Sequence, residues 1–75
     1  MNVAEEIRAE MARQHLTFVE LSNRTGISQW KLSRVISKES QPLEMPDATM
    51  IAEALNLRVS DLVIRAEENA QEVAA

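Results

Sequence analysis

The chain has 75 residues, a net charge of −4, one glycine, one tryptophan and no cysteine. A chain of this length makes one small domain that buries about two thirds of its unfolded surface, so its core is thin, and without cysteine no disulfide or cysteine-held metal can staple it. No apolar run approaches membrane-spanning length and the start of the chain lacks the apolar core of a secretory signal; the scarcity of aromatics and glycine beside many Ala, Glu, Leu and Arg favours an all-α fold.

In chain order, the pattern predicts a first helix from Asn2 to about Gln14. Asn2 can cap it, and Glu5 and Glu6 suit the positive end of its dipole. Val3, Ile7 and Met11 recur at i, i+4, i+8 and form an inward stripe, with Arg8 and Arg13 off it. His15 falls in the connection that follows, where a lone histidine is expected at the surface or as a cap.

A second helix is expected over Thr17–Thr25. Thr17 and Glu20 stand at capping-box spacing. Gly26 suits a helix C-terminus that needs a left-handed residue, where a Cβ is costly. Ser28 can cap a third helix over Gln29–Lys38, in which Leu32, Val35 and Ile36 cluster on one side. Trp30, Arg34 and Ser37 point the opposite way, with Gln29, Lys31, Ser33 and Lys38 on the flanks. Leu21, Ser22, Ile27, Leu32 and Val35 then fall on the inward face of a helix-turn-helix.

Residues 37–46, with both prolines, read as an irregular loop pinned to the core by Leu43 or Met45. Asp47 is expected to cap a fourth helix ending near Leu55, with Ala48, Ile51, Ala52 and Leu55 inward. Ser60 is expected to cap a fifth, with Leu62, Val63 and Ala66 inward. The expected architecture is a compact bundle of about five short helices: a helix-turn-helix domain over residues 1–66 and a polar, frayed tail over 67–75.

The segment TFVELSNRTGISQWKLSRVIS, preceded by IRAEMARQHL and followed by MIAEALNLRVSDL, resembles the helix-turn-helix of the Cro/lambda-repressor family, also called the Xre family. The resemblance covers roughly Ile7 to Leu62. It implies a regulator that binds double-stranded DNA, with the third helix in the major groove and paired half-sites bound by a homodimer. By that resemblance Gln29, Trp30, Ser33 and Arg34 contact bases. Glutamine and arginine can make bidentate bonds to adenine and guanine, and serine can bond to either base type. Trp30 could meet a thymine methyl through its ring or a phosphate through its N–H. Its plainer reading is a residue leaning on the loop or a protein-interface anchor.

Phosphate contacts are expected from the helix-start amides at Thr17 and Phe18, and from Lys31, Ser37, Lys38 and Arg13. Phe18 departs from the family, which often has glutamine there, and core packing is the stronger expectation for its side chain. The family often has glycine just after the third helix; Glu39 and Ser40 stand there instead.

An acidic chain is an unpromising DNA binder until its charges are placed. Residues Arg8 to Lys38 hold six basic residues and two acids, whereas Glu39 to Ala75 hold two arginines and eight acids. The positive charge thus coincides with the helix-turn-helix, and phosphate attraction is local at physiological salt. With one histidine, no glycine-rich phosphate loop and scattered carboxylates, no catalytic set, metal site, cofactor or small-molecule substrate is expected.

The expected function is a sequence-specific regulator, foremost a repressor of phage-immunity or Cro-like type, acting in the bacterial cytoplasm or nucleoid. The length suits a complete Cro-sized regulator or the DNA-binding piece of a larger one. The apolar outward residues Met50 and Ile64 are candidates for a dimer surface. The competing reading is a protein-interaction module, such as an antitoxin or adaptor, whose acidic half binds a basic partner.

Overall fold

A computed structural model describes residues 3–74, with side chains described for 3–68. Five helical segments follow in order: α1 (Val3–Gln14), α2 (Phe18–Thr25), α3 (Gln29–Leu32), α4 (Met45–Ala54) and α5 (Val59–Ala74). The α3 segment runs directly into a π-helical turn over Ser33–Ser37, and the two together form one continuous third helix. The described residues contain no strand, as expected for an all-α fold. The expected cap Asn2 lies outside the described residues.

Every helix sends a side chain to the centre. Ile7, Leu21, Leu32, Ile36, Ile51, Leu55 and Leu62 are fully buried, and Met11, Ile27, Val35 and Ala52 complete the cluster. Within α1, the third helix and α4 their spacing is the i, i+3, i+4 pattern that places apolar side chains on one face. Phe18 is half-buried and leans on this cluster, as does Leu43.

The ends of the helices follow from local chemistry. Thr17 is the N-cap of α2, its hydroxyl accepting from the Glu20 backbone N–H at 3.2 Å and donating to the Glu20 carboxylate at 3.3 Å. Gly26 ends α2 at φ 79°, and its N–H donates to the Ser22 carbonyl. Ser28 caps α3 by accepting from the Lys31 N–H at 3.2 Å.

Elsewhere ordinary residues adopt the left-handed conformation: His15, Glu39 and Asn56 have φ of 56°, 53° and 61°. At His15 and Asn56 the following residue's N–H reaches back five residues, Leu16 to Met11 O and Leu57 to Ala52 O, closing α1 and α4 in Schellman fashion. Glu39 takes the backbone shape that glycine supplies more cheaply.

The structure corrects three expectations and decides a fourth between its two alternatives. Asp47 does not cap α4: the helix begins at Met45, with Glu44 at the N-cap position three residues before the expected cap and Pro46 in the first turn. Proline lacks an N–H and has a preset φ, so it fits there and draws Asp47 inside the helix. Ser60 likewise lies inside α5, which begins at Val59. The Asp61 carboxylate accepts from the Arg58 N–H at 3.0 Å, and that bond fixes the start. Val63 is 38% exposed, about 100° around the helix from buried Leu62, and Met45 is 64% exposed, leaving Leu43 to pin the loop.

Polar contacts lock the helices at fixed angles. Gln14 donates to Leu55 O at 2.9 Å and to Glu10 at 2.8 Å, while Arg65 donates to Glu10 at 2.8 Å. Arg24 donates to Ala54 O at 3.1 Å. Arg8 donates to Ile36 O and lies 3.5 Å from Glu39, tying α1 to the end of the third helix. Carbonyls left over at the ends of the third and fourth helices are thus satisfied by side-chain donors from α1 and α2.

Candidate nucleic-acid interface

The third helix has a buried side and an open side. Leu32, Val35 and Ile36 face the core, whereas Gln29, Trp30, Arg34 and Lys38 are exposed and Ser33 is half-buried. The open side and the start of α2 enclose a shallow groove of about 250 Å³ lined by Phe18, Gln29, Trp30, Ser33, Arg34 and Lys38. No residue after Lys38 contributes to it. All four expected base-contacting residues meet here, together with Phe18 and Lys38 from the expected phosphate set.

The π turn explains how Lys38 joins them. An α-helix rotates about 100° per residue, so Lys38 would sit about 80° around the axis from Trp30. The wider π turn advances by roughly 80° per residue and removes most of that offset. The Lys38 N–H donates to Ser33 O at 2.8 Å, five residues back, which marks the widened turn.

Within the groove the Arg34 guanidinium lies 5.8 Å from the centroid of the Trp30 ring, inside the range of cation–π attraction. Among the described residues no carboxylate pairs with Arg34 or Lys38. Trp30, at 73% exposure, is the most exposed large apolar side chain described.

The other expected phosphate contacts are placed differently. The Lys31 ammonium lies 2.8 Å from Asp47, whose hydrogen bond and charge raise the Lys31 pKa. This pair joins the third helix to α4. Arg13 lies 3.4 Å from Glu10 on its own helix. Ser37 is exposed but does not line the groove. Thr17 lines a neighbouring depression of about 340 Å³ with Arg8, Met11, Ala12, Leu16 and Phe18. Phe18 is therefore the wall between the two depressions.

The helix-turn-helix, with its glycine corner, capped third helix and cationic open face, is the geometry of a DNA reader. A family model for the Cro/C1-type HTH DNA-binding domain matches residues 6–68. The chain belongs to that family. A search of curated proteins found no match. Membership makes the protein a DNA-binding regulator whose ligand is double-stranded DNA, and points away from an enzyme. Among the described residues no helix is long and apolar enough to cross a membrane.

Asp47, as the partner of Lys31, ties the third helix to α4 and so sets the direction in which the open face points. The sequence pattern points to Asp47 as a cap and is silent on this pairing. Opposite charges on different helices leave no periodic signal; the proline just before Asp47 is the one available clue.

Proposed function

We propose that this protein is a sequence-specific transcriptional repressor that inserts the N-terminal part of its third helix into the major groove and occludes a promoter. The observation that carries the reading is the groove lined by Gln29, Trp30, Ser33, Arg34 and Lys38, whose two cations have no carboxylate partner among the described residues. Gln29 and Arg34 supply bidentate donors and acceptors for base edges, and Ser33 a short adaptable one. Lys38, Ser37 and the amides of Thr17 and Phe18 contact flanking phosphates, with Arg13 and Lys31 as outlying charges. The protein acts where its operator lies, in the bacterial cytoplasm or nucleoid. Two copies bind paired half-sites, joined through the exposed apolar residues Met50 and Ile64.

The test is selection from a random-sequence DNA pool at moderate salt, run beside Arg34→Ala. The expected result is a short palindromic site whose preference at one guanine is relaxed by Arg34→Ala. Trp30 is the only tryptophan and tyrosine is absent, so intrinsic fluorescence reports the groove alone. Its emission is expected to change on binding. No enrichment by the intact protein, even as salt is lowered, overturns the proposal. That result would favour the adaptor reading, which has its own support in an apolar groove of about 580 Å³ lined in part by Leu43, Met45, Val59 and Val63 and sharing no lining residue with the basic groove.

A further inference from the structure

The pairing of Trp30 with Arg34 bears on what the groove selects. Trp30 is the second residue of α3, at the end of the third helix that meets base edges, and it is largely exposed in the free protein. Arg34 follows one turn later with its guanidinium 5.8 Å from the ring centroid. Among the described residues Arg34 faces no carboxylate, so the ring is its neighbour and the N–H edge of the fork stays open. We infer that Trp30 and Arg34 act as one recognition unit for a guanine flanked by a thymine, or by another pyrimidine carrying a C5 methyl. The inference rests on the DNA-reading function proposed above.

The guanidinium fork matches guanine O6 and N7, and two parallel bonds bring its plane close to that of the base. In the free protein the guanidinium sits over the Trp30 ring at 5.8 Å from its centroid; closing that gap to stacking contact as the fork takes up the base plane brings the ring over the edge of the next base pair, because successive bases rise by about 3.4 Å per strand. An indole face offers no hydrogen bond to that edge. The apolar group displayed in the major groove is the C5 methyl of thymine. An N–H bond from Trp30 to phosphate would instead carry the ring away from Arg34. Cation–π attraction holds the two side chains together and limits the fork's freedom before DNA arrives.

The experiment uses the full chain and the site recovered from the random pool. Each thymine is replaced singly by deoxyuridine, which deletes only the methyl. Binding is followed by Trp30 emission for the intact protein and by fluorescence anisotropy of labelled DNA for Trp30→Ala and Trp30→Phe. One thymine per half-site, adjacent to the guanine lost in Arg34→Ala, is expected to cost about four-fold when its methyl is removed, the worth of one buried methyl-sized group. In Trp30→Ala the same replacement is expected to cost nothing. In Trp30→Phe it retains part of its effect. Cytosine in place of that thymine binds poorly, and 5-methylcytosine recovers part of the loss.

If Trp30→Ala binds too weakly to measure, 5-bromodeoxyuridine at the same position decides, since its bromine occupies the methyl site. A photochemical cross-link mapped to Trp30 supports the unit, and a cross-link elsewhere overturns it. A selected site in which every thymine tolerates uracil overturns this inference and leaves DNA reading intact. Failure to select any site overturns both.

Discussion

On its inner side the third helix buries Leu32, Val35 and Ile36; on its outer side it exposes Trp30, Arg34 and Lys38 to solvent. A similar contrast holds for seven of the eight basic side chains, Arg58 at the start of α5 belonging to neither group. Arg8, Arg13, Arg65 and Lys31 face carboxylates, and Arg24 faces a carbonyl. Arg34 and Lys38, in the groove, face neither among the described residues. Apart from Arg13, whose partner is on its own helix, the braced cations tie one helix to another, and the groove cations keep their hydrogen-bonding capacity for a ligand. A charged residue's identity is therefore a poor guide to its role: Lys31 and Lys38 lie seven positions apart on one helix and belong to different sides of this division.

The sharpest way to break the comparison is to damage each side in turn. Ile36→Ala, in the buried face, is expected to cost about 2–5 kcal/mol in urea unfolding and to abolish DNA binding with it. Trp30→Ala should change stability by less than about 0.5 kcal/mol, as expected for an exposed site. Similar losses from both would show that the two faces are not separable.

Thr17 lies on the boundary, because its hydroxyl caps α2 while its backbone amide belongs to the proposed phosphate site. Thr17→Ala is expected to lower stability by about 1 kcal/mol. A substitution that keeps the cap, Thr17→Ser, should restore both stability and affinity. Rescue of stability without affinity would place the threonine methyl itself in the interface.

A third test uses pH. Gln14 and Arg65 hydrogen-bond to the Glu10 carboxylate and hold its pKa below the usual carboxylate range, and the charges of Arg13 and Arg65 add to this. A depressed carboxylate contributes stability above its unfolded pKa, near 4.3, and loses it as pH falls through the lower folded value. The melting temperature of the intact protein should therefore fall as pH drops from about 5 to 3, and more steeply than that of Glu10→Gln. Parallel curves would show that Glu10 does not brace the bundle.

The smallest effect is expected at the groove. Lys38→Ala should leave the melting temperature unchanged, weaken binding to all sequences alike and reduce the salt slope of affinity by about one. A change in sequence preference instead would move Lys38 from phosphate to base.

Much of this division is legible in the amino-acid sequence. The Thr17 and Ser28 caps, the Gly26 corner and the inward set Leu21, Leu32, Val35 and Ile36 depend only on local spacing, which the order of residues displays directly. The four expected base-contacting residues also meet in one groove, because helical periodicity gathers them on one face. Features set by tertiary contact are not legible in this way. The π turn leaves no periodic mark, and the left-handed backbone of Glu39 contradicts the residue's own preference. The starts of α4 and α5 differ from expectation because a polar residue near a helix start looks like a cap. In both helices Pro46 or Asp61 determines the boundary from within the first turn.

The groove draws nothing from the acidic half of the chain, and this has a kinetic consequence. A protein whose net charge repels DNA, yet whose reading face is locally positive, feels a torque in the field of the duplex as well as a force. Misoriented approaches are turned back at a distance of about a Debye length, roughly 8 Å at physiological salt, while aligned ones are admitted. Such a molecule spends little time on DNA in the wrong pose, and its search for an operator is expected to proceed by brief, oriented encounters rather than by long sliding along the duplex.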